Sequence, residues 1–233
     1  MPDRGWTTVT FWSGISVFFV FTLLQLIEQP SICAASHMTA EIIDLQYARS
    51  EAEMRAIFDL DEPACRLALA ENLVTSLYVD LLALIPAFTF FTVAFFLIFR
   101  RAHPRLALAG LLFVAAGAVS DLIETVRQMD ALYEFGPDMP YDAVTDAATR
   151  TKYVALAVTG LIAAASMLQV RRLVAIPFAL VTICGSLTVT AALFRLIPPQ
   201  AGLGMFLTWL AMIGWAACLR FGAARFAGLQ TPS

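Results

Sequence analysis

Six runs of apolar residues alternate with polar stretches along this 233-residue chain, at residues 9–27, 77–99, 106–128, 153–169, 173–197 and 203–219. A helix crosses the hydrocarbon of a bilayer in about 20 residues, so each run is of spanning length or close to it. The pattern predicts an all-α integral membrane protein, a six-transmembrane-helix bundle forming one membrane domain over residues 1–233. An extracytoplasmic amphipathic helical segment, residues 28–75, is expected between spans one and two. The first run also has the layout of a secretory signal peptide, but Cys33-Ala34-Ala35 is a poor cleavage site and a retained span is expected.

The segment 28–75 is polar overall, yet Ile43, Tyr47, Met54, Ile57 and Phe58 recur on one helical face with acids and arginines opposite. Ser50-Glu51-Ala52-Glu53 is a capping-box pattern that divides it into two short helices. It reads as an amphipathic helix or hairpin lying on the membrane surface; the alternative is a helix packed over the loops of the bundle. Pro63 suits the first turn of a further helix that runs straight into the second span. Residues 129–152, rich in Asp, Pro and Tyr, read as a loop between the third and fourth spans.

The run 106–128 is the most informative stretch. At 100° per residue it gathers Gly110, Val114, Gly117, Asp121, Glu124 and Gln128 into one stripe, small in its first half and acidic in its second. Small residues let neighbouring helices approach closely. Two carboxylates one turn apart in so apolar a segment cost free energy and call for partners.

Composition agrees with a membrane protein, being 60% hydrophobic and 14% charged. A net charge of −3, with no basic cluster of the kind that binding a phosphate backbone requires, implies no nucleic-acid partner. The placement of charge says more. Arg4, the cluster Arg100 to Arg105, Arg171-Arg172, Arg220 and Arg225 all fall on one face of a chain that crosses six times. By the positive-inside rule that face, with both termini, is cytoplasmic. Of fifteen basic residues only Lys152 is a lysine, a bias of GC-rich bacterial genomes that points to a bacterial inner membrane.

With that topology Glu28, Asp80, Asp121, Glu124, Arg127 and Arg195 share one depth at the outer ends of their spans. Asp80 continues a stripe of Ser76, Ala83, Ala87 and Ala94, and Arg195 one of Gly185, Thr188 and Ala192, so both are expected on inward faces. The group reads either as an outward-facing acidic pocket, with Arg127 and Arg195 neutralising part of its charge, or as ion pairs that fix helix register. Cys33 and Cys65 fall together on the outer side, where a disulfide between them is expected.

Absences narrow the chemistry. No span contains a histidine, which excludes a haem held by two intramembrane histidines and a Ser–His protease. Lys152 is expected at the mouth of a span, too shallow for a retinal-type Schiff base. No CxxC or HExxH occurs, no metal ligand set emerges, and no cofactor is named by these residues. The expectation is a membrane protein whose acidic pocket binds or transports a cation, an amphiphile or a lipid. The alternatives are an accessory subunit, docking a membrane partner or a second copy through its acidic outer cap, and an enzyme using a carboxylate pair.

Overall fold

The computed structural model describes residues 4–27, 42–170, 173–197 and 201–227; Glu28, Cys33 and His37 lie outside the described residues. All regular structure among the described residues is helical, and six helical stretches are long and apolar enough to cross a membrane. The helices are α1 (Arg4–Ile27), α2 (Ile42–Tyr47), α3 (Glu51–Ile57), α4 (Pro63–Val79), α5 (Ile85–Leu97), α6 (Pro104–Phe135), α7 (Ala143–Leu168), α8 (Ala175–Leu193) and α9 (Ala201–Ala227).

Pro63 opens α4, and α4 continues into α5 through a π-helical turn, Asp80–Leu84, in which the Ile85 N–H donates to the Asp80 carbonyl. Pro86 supplies the physical reason. It has no N–H to give Leu82, and its ring would collide with that carbonyl, so the helix widens by one residue.

Residues 129–152 are not the loop their composition implied. α6 continues to Phe135, a 3₁₀ turn covers Gly136–Asp138, and α7 begins at Ala143. Met129 and Leu132 keep the apolar phase of α6 going, and both are buried against α4 and its neighbours. At its other end α8 stops at Leu193, short of the expected 197. Arg195 adopts φ 56°, its N–H donates to Ala192 O, and Leu196 N–H donates to Ala191 O. This is a Schellman ending with arginine in the position glycine usually takes. A helical stripe through Gly185, Thr188 and Ala192 therefore does not continue to Arg195, which is exposed.

The chain forms two compact units. The first comprises Met1–Val17, Ala87–Gly117 and Tyr153–Ser233. Its helices approach through small residues. A Cβ on Gly110 would run into the buried Phe96 ring, and one on Gly185 would lie 2.5 Å from the carbonyl oxygen of Gly204. Gly117 is roomier than its stripe implies, since a Cβ there would meet Ala155 Cβ at an ordinary 3.5 Å. Thr182, Ser186 and Thr208 donate to carbonyls one turn back in their own helices, so the hydroxyl-rich run in α8 is satisfied locally. Arg220 lies over the rings of Phe11, Trp12 and Phe221.

The second unit comprises Phe18–Pro86 and Ala118–Lys152. Here Leu45, Ala48, Met54 and Phe58 of the cap pack into one core with Leu69, Leu73 and Leu77 of α4 and Met129, Leu132 and Met139. The apolar face of α2 and α3 is thus covered by protein rather than laid on a membrane surface. Ser50 caps α3, accepting from Glu53 N–H at 3.2 Å, while Glu53 Oε2 accepts from Arg49 N–H at 2.7 Å. The reciprocal arm of the box reaches one residue further back than usual.

Candidate functional site

The acidic half of the 106–128 stripe lies in the second unit, and the helical phase there is clean. Asp121, Glu124, Thr125 and Gln128 turn inward on α6, while Leu122, Ile123, Val126 and Arg127 are exposed. Against this face α7 brings Thr149 and Lys152, and the π turn that follows α4 brings Asp80, with the buried Ser76 one turn before it.

Lys152 is the centre. Its Nζ lies 3.0 Å from Asp121 Oδ1 and 2.5 Å from Glu124 Oε2, with side-chain exposures of 5%, 20% and 0% for the lysine and its two acids. Asp80, 6% exposed, accepts a hydrogen bond from Thr125 Oγ1 at 3.3 Å and lies within electrostatic reach of Asp121, Glu124 and Lys152. Two carboxylates thus pair with one ammonium, and a third, Asp80, lies within its electrostatic reach. Several polar atoms around them are left over. Glu124 Oε1, Ser76 Oγ and Gln128 Oε1 have no hydrogen-bond partner among the described residues. The Thr149 hydroxyl stands beside Glu124 and within 3.0 Å of the Thr145 carbonyl of its own helix, with both acceptors in its reach.

The two arginines expected to neutralise the acids are engaged or placed otherwise. Arg127 is on the outward face of α6 and its Nε donates to Asp142 Oδ2 at 2.5 Å. Arg195 belongs to the first unit. Glu28 is outside the described residues, and so is Cys33, which leaves Cys65 as the one described member of the expected disulfide. Cys184 and Cys218 are free thiols. Among the described residues no three Asp, Glu, His or Cys side chains converge as a metal site.

Lys152 is the residue sequence reasoning misplaced. The signal that locates it is the start of α7. Asp142 accepts from Val144 N–H at 3.1 Å, Thr145 N–H at 3.2 Å and the Thr145 hydroxyl at 2.7 Å, an N-terminal cap that begins the helix well before the apolar run. Counting helical phase from there puts Thr145, Thr149 and Lys152 on one face.

Outside the spanning stretches, Asp142 and Tyr47 have displaced proton affinities. The Arg127 guanidinium, followed by the hydrogen bonds of the cap, holds the Asp142 carboxyl well below the usual carboxylate range. Burial pushes the Tyr47 phenol up to about 12, with Glu124 adding to the rise and Arg49 and Lys152 opposing it. For Asp142 the folded value is depressed, so its contribution to stability is complete above about pH 4 and is lost as pH falls below that. For Tyr47 the folded value is raised, so its contribution is complete below about pH 10 and is lost as pH rises through about 12. Asp142→Asn, which keeps an acceptor for the cap, is expected to flatten the acid limb of the stability curve below about pH 4. Asp142→Ala is expected to lose a further ~1 kcal/mol at neutral pH. Circular dichroism of the purified protein across pH checks both; an acid limb identical in wild type and Asp142→Asn would show that this carboxylate is not held by its partners.

No protein-family model, curated protein or solved structure matches this chain.

Proposed function

We propose that this is a multi-pass protein of the bacterial cytoplasmic membrane, with both termini cytoplasmic, whose Asp80, Asp121 and Glu124 take up and release a cation from the outer side. Six apolar helical stretches and the one-sided arginines of the sequence support the placement. The proposed Cys33–Cys65 disulfide belongs to the same outer face.

One observation carries the functional reading: three carboxylates gathered around a single buried lysine. Lys152 balances one negative charge. An uncompensated buried carboxylate costs several kcal/mol, so the surplus calls for further positive charge. The proton is the cation that fits best, because the carboxylates do not converge as a metal site. Carboxylates among spanning helices are the usual means of coupling to protons.

A second reading is favoured by the same lysine. Its ion pairs to Asp121 and Glu124 tie α7 to α6, which is what a structural clasp in an accessory subunit would do. Proton flux separates the two. Protein reconstituted into liposomes around a pH-sensitive dye is expected to admit protons under an imposed potential faster than protein-free vesicles do. Glu124→Gln, Asp80→Asn and Asp121→Asn are each expected to bring the flux towards the protein-free level. Unchanged flux in all three, at normal abundance, would sink the cation reading and leave the clasp.

A further inference from the structure

Within the second unit a cleft with about 20 Å³ of open space lies among α2, α3, the end of α6 and the start of α7. A volume of that size accepts a water molecule and little else. Arg127, Tyr141, Asp142 and Asp146 line it, and the Arg127–Asp142 ion pair forms part of its charged rim. On the inner side it is lined by Gln128 and Thr149, which are 2% and 3% exposed. Gln128 follows Glu124 by one turn on the same face of α6, and Thr149 precedes Lys152 by about one turn on α7. The cleft therefore reaches to within one helical turn of the Glu124–Lys152 pair.

Gln128 Oε1 is the telling atom, because it is buried and has no hydrogen-bond partner among the described residues. An unsatisfied amide oxygen in such a place is costly, and a water of the size this cleft admits is the ordinary remedy. We infer that the cleft holds ordered water bound to Gln128 and that this water is the route by which protons pass between the polar rim and Glu124. The inference rests on the reading of the acid group as a proton site, and it names how that site is reached.

A hydronium ion at the rim gives up a proton, and water on Gln128 passes it to the Thr149 hydroxyl, which lines the cleft and stands beside Glu124. As that hydroxyl gives its own proton on, the O–H bond of the Glu124 carboxyl forms; release is the reverse. The groups that face Glu124 and set its hold on the proton are Lys152 and Thr149 from α7, Asp121 from its own helix, Asp80 from the π turn and Tyr47 from α2. Arg127, Asp130, Asp142, Asp146 and Arg150 set the charge at the rim.

Hydrogen–deuterium exchange of the Glu124 carboxyl tests this, followed by infrared spectroscopy of the full chain in liposomes, with the band assigned by its absence in Glu124→Gln. Gln128→Leu is expected to slow exchange about tenfold or more, the factor that loss of one hydrogen-bonded water site represents. Arg127→Gln, at an exposed position, is expected to speed it by opening the rim, and it decides the matter should Gln128→Leu fail to fold. Equal rates in wild type and Gln128→Leu, or in wild type and Arg127→Gln, overturn the route while leaving the proton site standing. Absence of a protonated Glu124 band at every pH overturns the route and the proton site together.

Discussion

Lys152→Met is expected to destabilise the protein by about 3–5 kcal/mol, the penalty typical of removing one partner from a buried ion pair. Methionine matches lysine in length and suits an apolar interior, so packing alone would forgive the change. The charges would not. Asp121 and Glu124 would face each other without the ammonium now 3.0 Å and 2.5 Å from their oxygens, with Asp80 adding a third carboxylate. Second substitutions make the cause identifiable. Lys152→Met combined with Glu124→Gln is expected to recover part of the loss, because one of the abandoned charges is gone, whereas independent sites would add. Lys152→Arg is expected to fall between, since a planar guanidinium does not fit a point-charge site between two carboxylates. Thermal unfolding in detergent with accumulation in membranes measures both. If Lys152→Met unfolds within about 1 kcal/mol of wild type, the cluster does not depend on its lysine and the premise of charge sharing fails.

The contrast between the parts of the site that sequence made legible and those it hid has a physical origin. On α6 a single helix carries the whole pattern, so its own periodicity placed Asp121, Glu124 and Gln128 inward. Asp80 was legible for the same reason, although the π turn forced by Pro86 was not read from the pattern. Lys152 was hidden because hydropathy locates apolar runs, and α7 begins two and a half turns earlier, at a cap made by Asp142 in a polar stretch. Arg195 failed for the opposite reason. Hydropathy carried α8 past its true end, while backbone hydrogen bonds closed the helix at Leu193. Arg127 was assigned by depth, which says nothing of direction; its partner, Asp142, came from a segment read as a loop. The cap shows a third kind of limit. Its amphipathic face was plain, but the same face suits a membrane surface or a protein core, and only the packing of Met54 and Phe58 with Leu73 and Leu132 distinguishes them.

The first unit offers the other large effect, and it depends on backbone rather than charge. Gly204→Ala is expected to cost about 1–3 kcal/mol, the range for forcing an extra carbon into a filled interior. A Cβ there would stand 2.6 Å from the Gly185 carbonyl oxygen and 3.0 Å from the Val189 nitrogen. Those atoms belong to the main chain of α8 and cannot rotate aside, so the two helices must part. Gly185→Ala is expected to behave alike, its Cβ lying 2.5 Å from the Gly204 carbonyl oxygen. The double variant should cost less than the sum, because once the helices have parted for one methyl there is room for the other. Gly117→Ala is the control, also in the first unit and also a buried glycine of an inward stripe, but with only an ordinary 3.5 Å contact to Ala155 Cβ. It is expected to be neutral or slightly stabilising, since alanine is favoured over glycine inside a helix by up to about 1 kcal/mol. Unfolding in detergent ranks the three. Should Gly204→Ala match Gly117→Ala, the spacing of α8 and α9 is not set by contact between their backbones, and the small residues along α8 would need a different explanation from close approach.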